Sequence, residues 1–232
     1  MLLVLITILI KNYYPTFLKC CIKINMEKTQ TSISINSLSC AVDGKVIIDN
    51  INFDLYSGQS ICVTGPNGVG KTLLLHTIIG FKQRFKGNIL INERDLSDDP
   101  PSRQEQIGYY GHSASLQPGL TPLEIIRYWK EYYNSDAITS DLIKFWDLPN
   151  CTVDTCSEGQ QKRIALARLS LMKRNIWVLD EPTTNLDAVG KEKFWEMHTS
   201  HLKSGGLSIV ATHEPAQFEK NKIIILERNR GN

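Results

Sequence analysis

The sequence predicts an α/β domain with a mainly parallel sheet, an antiparallel β part near its N-terminal end and a helical lobe inserted over about 113–170. Three observations predict it. The runs SICVT (60–64), WVLD (177–180) and LSIVAT (207–212) are short, apolar and flanked by polar residues, as strands buried on both faces are, and helical stretches separate them. Residues 31–55 instead alternate polar and apolar side chains around a turn signal at Asp43-Gly44, which reads as antiparallel strands. TPLE at 121–124 supplies a capping threonine, a proline at the first helical position and a glutamate that closes a capping box, so a new helix opens there.

The elements follow in order. SISINSL and KVIIDNINFDL are the antiparallel strands, and Tyr56-Ser57-Gly58 turns the chain into SICVT, which feeds a glycine-rich loop. LLLHTIIGF continues as a helix after Lys71 and stops near Gly80; GNILINERDL is a further strand and turn. IGYYGH is a strand end followed by a loop through Pro118-Gly119. Behind TPLE, Ile125, Ile126, Trp129, Tyr132 and Tyr133 recur at helical spacing, a stripe expected to pack in the core. A polar helix over 188–204, the strand LSIVAT and a last strand NKIIILE complete the pattern, without internal repeats.

The bulk numbers bound the function classes. With 232 residues and 26.3 kDa there is room for one large α/β domain. A formal charge of +2 and 22% charged residues describe a mixed surface, so nothing in the balance predicts a nucleic-acid partner. Cysteines 20, 21, 40, 62, 151 and 156 lack metal-ligand spacing and read as reduced, partly buried thiols. His198 and His201 could share a helix face but have no third ligand nearby, and are expected on a solvated surface. MLLVLITILI at the start is about half the length of a spanning helix and has no basic residue before it. Residues 1–25 are therefore expected to be a disordered leader ahead of a start at Met26, with the domain over 26–232; a membrane-touching segment is the alternative.

The chemistry concentrates in a few motifs. Gly65-Pro66-Asn67-Gly68-Val69-Gly70-Lys71-Thr72 satisfies the P-loop pattern: backbone N–H groups wrap phosphates, Lys71 reaches the β and γ oxygens, and the Thr72 hydroxyl ligates Mg²⁺. Asp180-Glu181 ends a buried strand at the edge where α/β ligands bind, so Asp180 is a candidate to hold Mg²⁺ and Glu181 to orient or deprotonate an attacking water. His213, after another buried strand, is placed to touch a γ-phosphate. CSEGQQKRIALARL (156–169) is a second helix start suited to an anion: Ser157 caps it and Gly159 lets a ligand approach the backbone. One nucleotide needs only one such cradle from its own subunit. The second is useful if two copies of the chain sandwich two ATP molecules, each helix start closing over the partner's γ-phosphate.

Together these residues resemble the ABC-type ATPases over nearly all of 32–227. GPNGVGKT resembles their Walker A, CSEGQ their LSGGQ signature, IWVLDEP their Walker B with its catalytic glutamate, NLD (185–187) their D-loop and His213 their switch histidine. The resemblance implies catalytic roles for Glu181, His213 and Lys71, Mg²⁺ at Thr72 and Asp180, and nucleotide contacts from Ser157, Gly159, Gln160 and Asp187. Within that superfamily the chain is similar to the haem-exporter ATP-binding subunits of cytochrome c maturation, the CcmA proteins. The likeness lies in Gly111-His112 with the later Leu120-Thr121, SEGQQKRIALARL, Trp177 in Walker B and Cys40 in an LxC element. It implies a homodimer formed on ATP binding, docked at the cytoplasmic face of the inner membrane on an integral permease that is CcmB-like, with a CcmC-like protein as a further candidate. Departures from the pattern are Ser113 where the family has its Q-loop glutamine, with His112 or Gln117 as substitutes, and Cys156 and Glu158 within the signature. No aromatic stands near Cys40 to stack on adenine. No Cys-x-x-Cys-His is present, so haem rests on the likeness alone; an ATPase subunit for another exported substrate (metal, lipid or drug) is the nearest alternative, a soluble ABC-type ATPase a more distant one.

Overall fold

The alternating segment folds as two long antiparallel strands, β1 (Ser32–Val42) and β2 (Lys45–Tyr56), in a computed structural model that describes residues 30–111, 116–219 and 222–227. Asp43 (φ 49°) and Gly44 (φ 78°) join them, both left-handed, as a two-residue hairpin loop matched to strand twist requires. The expected leader and two of the Q-loop candidates, His112 and Ser113, lie outside the described residues.

β1 pairs on its other side with β4 (Lys86–Ile91), and β4 carries the two-residue β5 (Arg94–Asp95), giving the order β2-β1-β4-β5. The antiparallel strands thus form their own sheet and not an edge of the parallel one. The second sheet is all parallel: β3 (Ser60–Thr64), β6 (Ile107–Tyr110), β7 (Ile176–Asp180), β8 (Leu207–Ala211) and β9 (Ile223–Ile225) run in the order β6-β7-β8-β3-β9. Every residue of β7 and β8 is buried, as expected for central strands covered on both faces.

Helix α1 (Lys71–Ile79) shares one core with both sheets: Leu74, Leu75 and Ile78, fully buried, cluster with Ile33 and Leu55 of the first and Val178 and Ile209 of the second. Each such side chain contributes roughly 2 kcal/mol by its burial, which anchors the residues at the helix start. Gly80, left-handed at φ 89°, ends the helix where the sequence places its stop. A short helix, α2 (Pro100–Gln106), follows β5; Asp99 caps it by accepting from Ser102 N–H.

Three helices, α3 (Pro122–Tyr132), α4 (Thr139–Trp146) and α5 (Glu158–Leu171), build a second core around Trp146, Ile125, Ile126, Ile164 and Leu166. The capping box at Thr121 forms: Glu124 N–H donates to Thr121 Oγ1 (3.3 Å) and Thr121 N–H to Glu124 Oε2 (2.8 Å). The aromatic stripe divides. Ile125 and Ile126 are buried, whereas Tyr132 is 71% exposed and stacks on the equally outward Tyr128.

Helix α6 (Ala188–Lys203) corrects the reading of its histidines. His198 is buried with Nε2 2.7 Å from Ser208 Oγ, and His201 stacks on Trp177 with ring centroids 3.7 Å apart. Burial pushes both imidazoles down to about 4, so at neutral pH they pack as uncharged rings. Both rings face β8: His198 meets the Ser208 hydroxyl, and His201 Nε2 lies 3.2 Å from Leu207 O. Among the described residues no cluster of three or more metal-ligating side chains is found.

Candidate functional site

The carboxyl ends of β7, β8 and β3 are neighbours in the parallel sheet, so loops distant in sequence meet there. Asn67, Gly68, Gly70, Lys71 and Thr72 follow β3; Asp180, Glu181 and Thr184 end and follow β7; His213 follows β8. Together they line a cleft of about 520 Å³. Gly65, Pro66 and Val69 frame the loop: Pro66 O accepts from Val69 N–H (3.3 Å), and the Val69 side chain is buried in the core. Gly68 (φ 74°) is the open position, with nothing within 4 Å of where a Cβ would stand, so phosphate-sized groups can reach the backbone. A second cleft of about 530 Å³ lies around Trp177 and His201 and includes none of these motif residues.

Lys71 is the hub. Its buried ammonium donates to Gly65 O (3.0 Å) and to His213 Nε2 (2.9 Å), and lies 3.7 Å from Glu181 Oε1. An ammonium can only donate, so in this contact His213 Nε2 accepts. The 3.3 Å approach of that Nε2 to Glu181 Oε1 is then proximity without a shared proton, and Oε1 has no hydrogen-bond partner among the described residues. The carboxylate thus stands beside the phosphate loop, within ion-pair distance of the Lys71 ammonium. Its other oxygen accepts from Thr184 Oγ1 (3.3 Å). Glu181 itself is left-handed at φ 47°, its N–H bonded to Ala211 O (2.9 Å), which fixes where the side chain leaves the sheet.

Thr72 Oγ1 donates to Asp180 Oδ2 at 2.7 Å, and Asp180 is almost wholly buried. A hydroxyl and a carboxylate side by side form the all-oxygen donor pair that suits a hard divalent cation, so these residues fit Mg²⁺.

The signature segment is elsewhere. Ser157 caps α5 in a reciprocal box with Gln160: Ser157 N–H donates to Gln160 Oε1 (2.9 Å) and Gln160 N–H to Ser157 Oγ (3.2 Å). Neither lines the P-loop cleft, nor do Gly159, Asp187 and the exposed Gln117. The first turns of α5 instead touch the loop after β7. Lys162 Nζ donates to Thr184 O (2.7 Å), Asn185 Nδ2 donates to Glu158 Oε1, and Arg163 donates to both carboxylate oxygens of Asp187 (2.6 Å each). Glu158 thus turns toward this loop. At Gly159 a Cβ would stand 3.2 Å from Asn185 O, so the glycine permits this approach of helix and loop. Asp187 caps α6 by accepting from Gly190 N–H (2.8 Å), and Arg163 holds its carboxyl below the usual carboxylate range.

Comparison with known proteins gives this arrangement its family. A family model described as ABC transporter matches residues 48–184. The chain belongs to the ABC transporter ATP-binding family. This ABC ATPase is 34% identical over 189 residues to the cytochrome c biogenesis ATP-binding export protein CcmA of Nitrobacter winogradskyi, covering 79% of this chain and 92% of that protein. It is 35% identical to the CcmA of Rhodopseudomonas palustris, covering 79% and 92% respectively. In fold it is similar to a dimeric ATP-binding cassette in a post-hydrolysis state with ADP and Pi bound, at a TM-score of 0.68 and 22% identity over 86% of this chain and 100% of that one.

Sequence reading missed Thr184, Lys162 and Arg163 of the ABC ATPase. Thr184 stands three residues beyond Glu181, a spacing at which a hydroxyl can reach back to a carboxylate, and that signal was available. Lys162 bonds a backbone carbonyl, which no side-chain pattern announces. No helix among the described residues is long and apolar enough to cross a membrane.

Proposed function

We propose that this ABC ATPase is the ATP-hydrolysing subunit of a transporter complex that exports or delivers haem in c-type cytochrome biogenesis. In this reading it is peripheral at the cytoplasmic face of the inner membrane, on a CcmB-like permease with a CcmC-like protein beside it. The relatives named for cytochrome c biogenesis support the haem assignment, and the ABC membership supports the permease. The transport of another substrate (metal, lipid or drug) by the same engine is the second reading, since the ABC membership supports the transporter and not its cargo.

The observation that carries the mechanism is the separation of the two anion-suited helix starts. The P-loop cleft is lined from three strand ends of its own subunit, while Ser157, Gly159, Gln160 and Asp187 stand outside it. In the proposed cycle two protomers place the signature of each over the triphosphate on the P-loop of the other. Lys71 and the P-loop amides bind the phosphates, Thr72 and Asp180 would hold Mg²⁺, and Glu181 takes a proton from the attacking water. His213, which accepts from Lys71, contacts the γ-phosphate. The bound Mg²⁺ supplies charge neutralisation at the phosphate oxygens. Loss of the γ-phosphate removes the charge that bridges the two protomers, and the pair opens.

Glu181→Gln keeps the shape of the site and removes the base, so this variant should accumulate as an ATP-bound dimer. Light scattering during size exclusion, with and without ATP, reads this directly. A variant that stays monomeric with ATP bound counts against the sandwich. Affinity purification from native membranes, followed by identification of the permease and of bound haem, decides between the two substrate readings.

A further inference from the structure

Cys151 and Cys156, in the segment between α4 and α5, hold their Sγ atoms 3.7 Å apart. A single 3-10 turn, Val153–Thr155, folds the chain back between them, with Thr155 N–H on Thr152 O and Cys156 N–H on Val153 O, each at 3.0 Å. Gln161, in α5, donates to Val153 O (3.2 Å) and Cys156 O (3.3 Å), so the turn and the helix start are joined. Cys156 immediately precedes the cap residue Ser157. Its thiol is buried, with Sγ 3.5 Å from Thr152 O, whereas Cys151 is half-buried and the more open of the two. Burial and the neighbouring thiol push Cys156 up to about 11, so it waits as a protonated thiol at neutral pH.

We propose that Cys151 and Cys156 form a dithiol modification site that a low-molecular-weight disulfide closes to an intramolecular disulfide, shifting the helix start at Ser157 and slowing ATP turnover. The effect on turnover rests on the proposed role of Ser157 at the partner's nucleotide. In the first step the Cys151 thiolate attacks one sulfur of the reagent RSSR; a Cys151–SR bond forms, the reagent S–S bond breaks and RS⁻ leaves. In the second, Cys156 gives its proton to the released RS⁻ and attacks Sγ of Cys151, expelling the second RS⁻, which takes up from solvent the proton Cys151 had lost. Two protein thiols are oxidised and RSSR is reduced to two RSH. The sulfurs of a disulfide lie about 2 Å apart, so closure from 3.7 Å brings the two Sγ atoms more than 1 Å closer across a turn that Gln161 ties to the helix start, and about 1 Å of misplacement in a catalytic constellation costs around 100-fold. A metal site is disfavoured, because among the described residues no third ligand joins the pair.

The experiment treats the full-length protein with oxidised glutathione, quenches free thiols and digests with trypsin without reductant. Both cysteines fall in one tryptic peptide, 145–162, away from the other four. The expected result is that peptide lighter by two hydrogen atoms, ATP turnover lowered at least about tenfold, and full recovery with dithiothreitol. Cys151→Ser should turn over at the reduced wild-type rate and ignore the oxidant; Cys151→Ala serves as a second variant if the serine protein is unstable. A peptide carrying glutathione adducts or two free thiols overturns the proposal, as does a complete disulfide with turnover unchanged. Should Ser157→Arg retain full activity, the role of Ser157 at the partner's site fails instead, and the peptide mass still decides the dithiol.

Discussion

Lys162, on the signature helix, donates to the carbonyl of Thr184 at 2.7 Å, and the hydroxyl of the same Thr184 donates to Glu181. The helix that stands outside the P-loop cleft is thereby tied, through one residue, to the carboxylate inside it. Lys162 is itself buried; burial lowers its pKa, and the carboxylates of Glu158 and Glu181 offset part of that. Thr184→Val keeps the shape and deletes the hydroxyl that orients Glu181. A hydrogen bond to a charged group contributes about 1.5–3 kcal/mol, so kcat should fall roughly tenfold or more with ATP affinity little changed. Steady-state kinetics beside nucleotide titration separates the two effects, and a loss confined to binding would place Thr184 on the ligand and not on the base.

Ser157→Arg puts a long cation where the helix start is proposed to meet the partner's phosphates. Turnover should drop at least about 100-fold, the scale seen when a charge-stabilising donor is lost, while ATP binding to the isolated protomer persists. Fluorescent nucleotide binding and phosphate release, measured on the same preparation, check it. Simultaneous loss of both would mean that Ser157 serves its own subunit's site.

Asp187 has a structural duty that is measurable without any nucleotide. It caps α6 and holds Arg163, so Asp187→Ala should cost about 1 kcal/mol, or about 2–4 °C in melting temperature for a domain of this size. Asp187→Asn keeps the cap and gives up the ion pair with Arg163, whose side chain is only 11% exposed, so it should lose less than the alanine variant, which gives up both. Equal losses in the two variants would assign the effect to Arg163 and not to the cap.

His198 and His201 make stability depend on pH. Both are pushed down to about 4 in the folded chain, against about 6.5 when unfolded. Between those values the unfolded chain binds protons that the native chain refuses, so stability is full above about 6.5 and falls as pH drops toward 4. Each ring contributes at most on the order of 3 kcal/mol to that loss. Urea unfolding at pH 7 and pH 4.5 measures the slope, and His198→Gln should flatten it; a wild-type midpoint that does not move over this range would exclude the effect.

What could be read in advance was whatever is written locally. The P-loop, the capping box at Thr121, the cap at Ser157 and the Asp43-Gly44 hairpin depend on residues within a few positions of one another, and each forms as the sequence indicates, with Gln160 closing an unexpected second box. Helix α2 also had a local mark, Asp99 before Pro100-Pro101, that went unread. Helix α4 had only weak ones, Asp141 in its first turn and Lys144 in its last: its cap position, Ile138, makes no side-chain bond, and Trp146 packs it into the second core. The histidines of α6 were misplaced for the same reason, since their partners Ser208 and Trp177 come from other strands. The meeting of Cys151 with Cys156 depends on one turn of 3-10 helix, which spacing alone does not reveal.

The wholly covered central strands β7 and β8 have a dynamic consequence. Amide protons at Val178 and Ile209 should exchange with deuterium only when the entire domain opens, whereas those at the solvent-facing start of α5 should exchange within its local breathing. The floor beneath the triphosphate is then the slowest-exchanging part of the molecule, and the compliance needed for two protomers to close and separate is left to the helices around it.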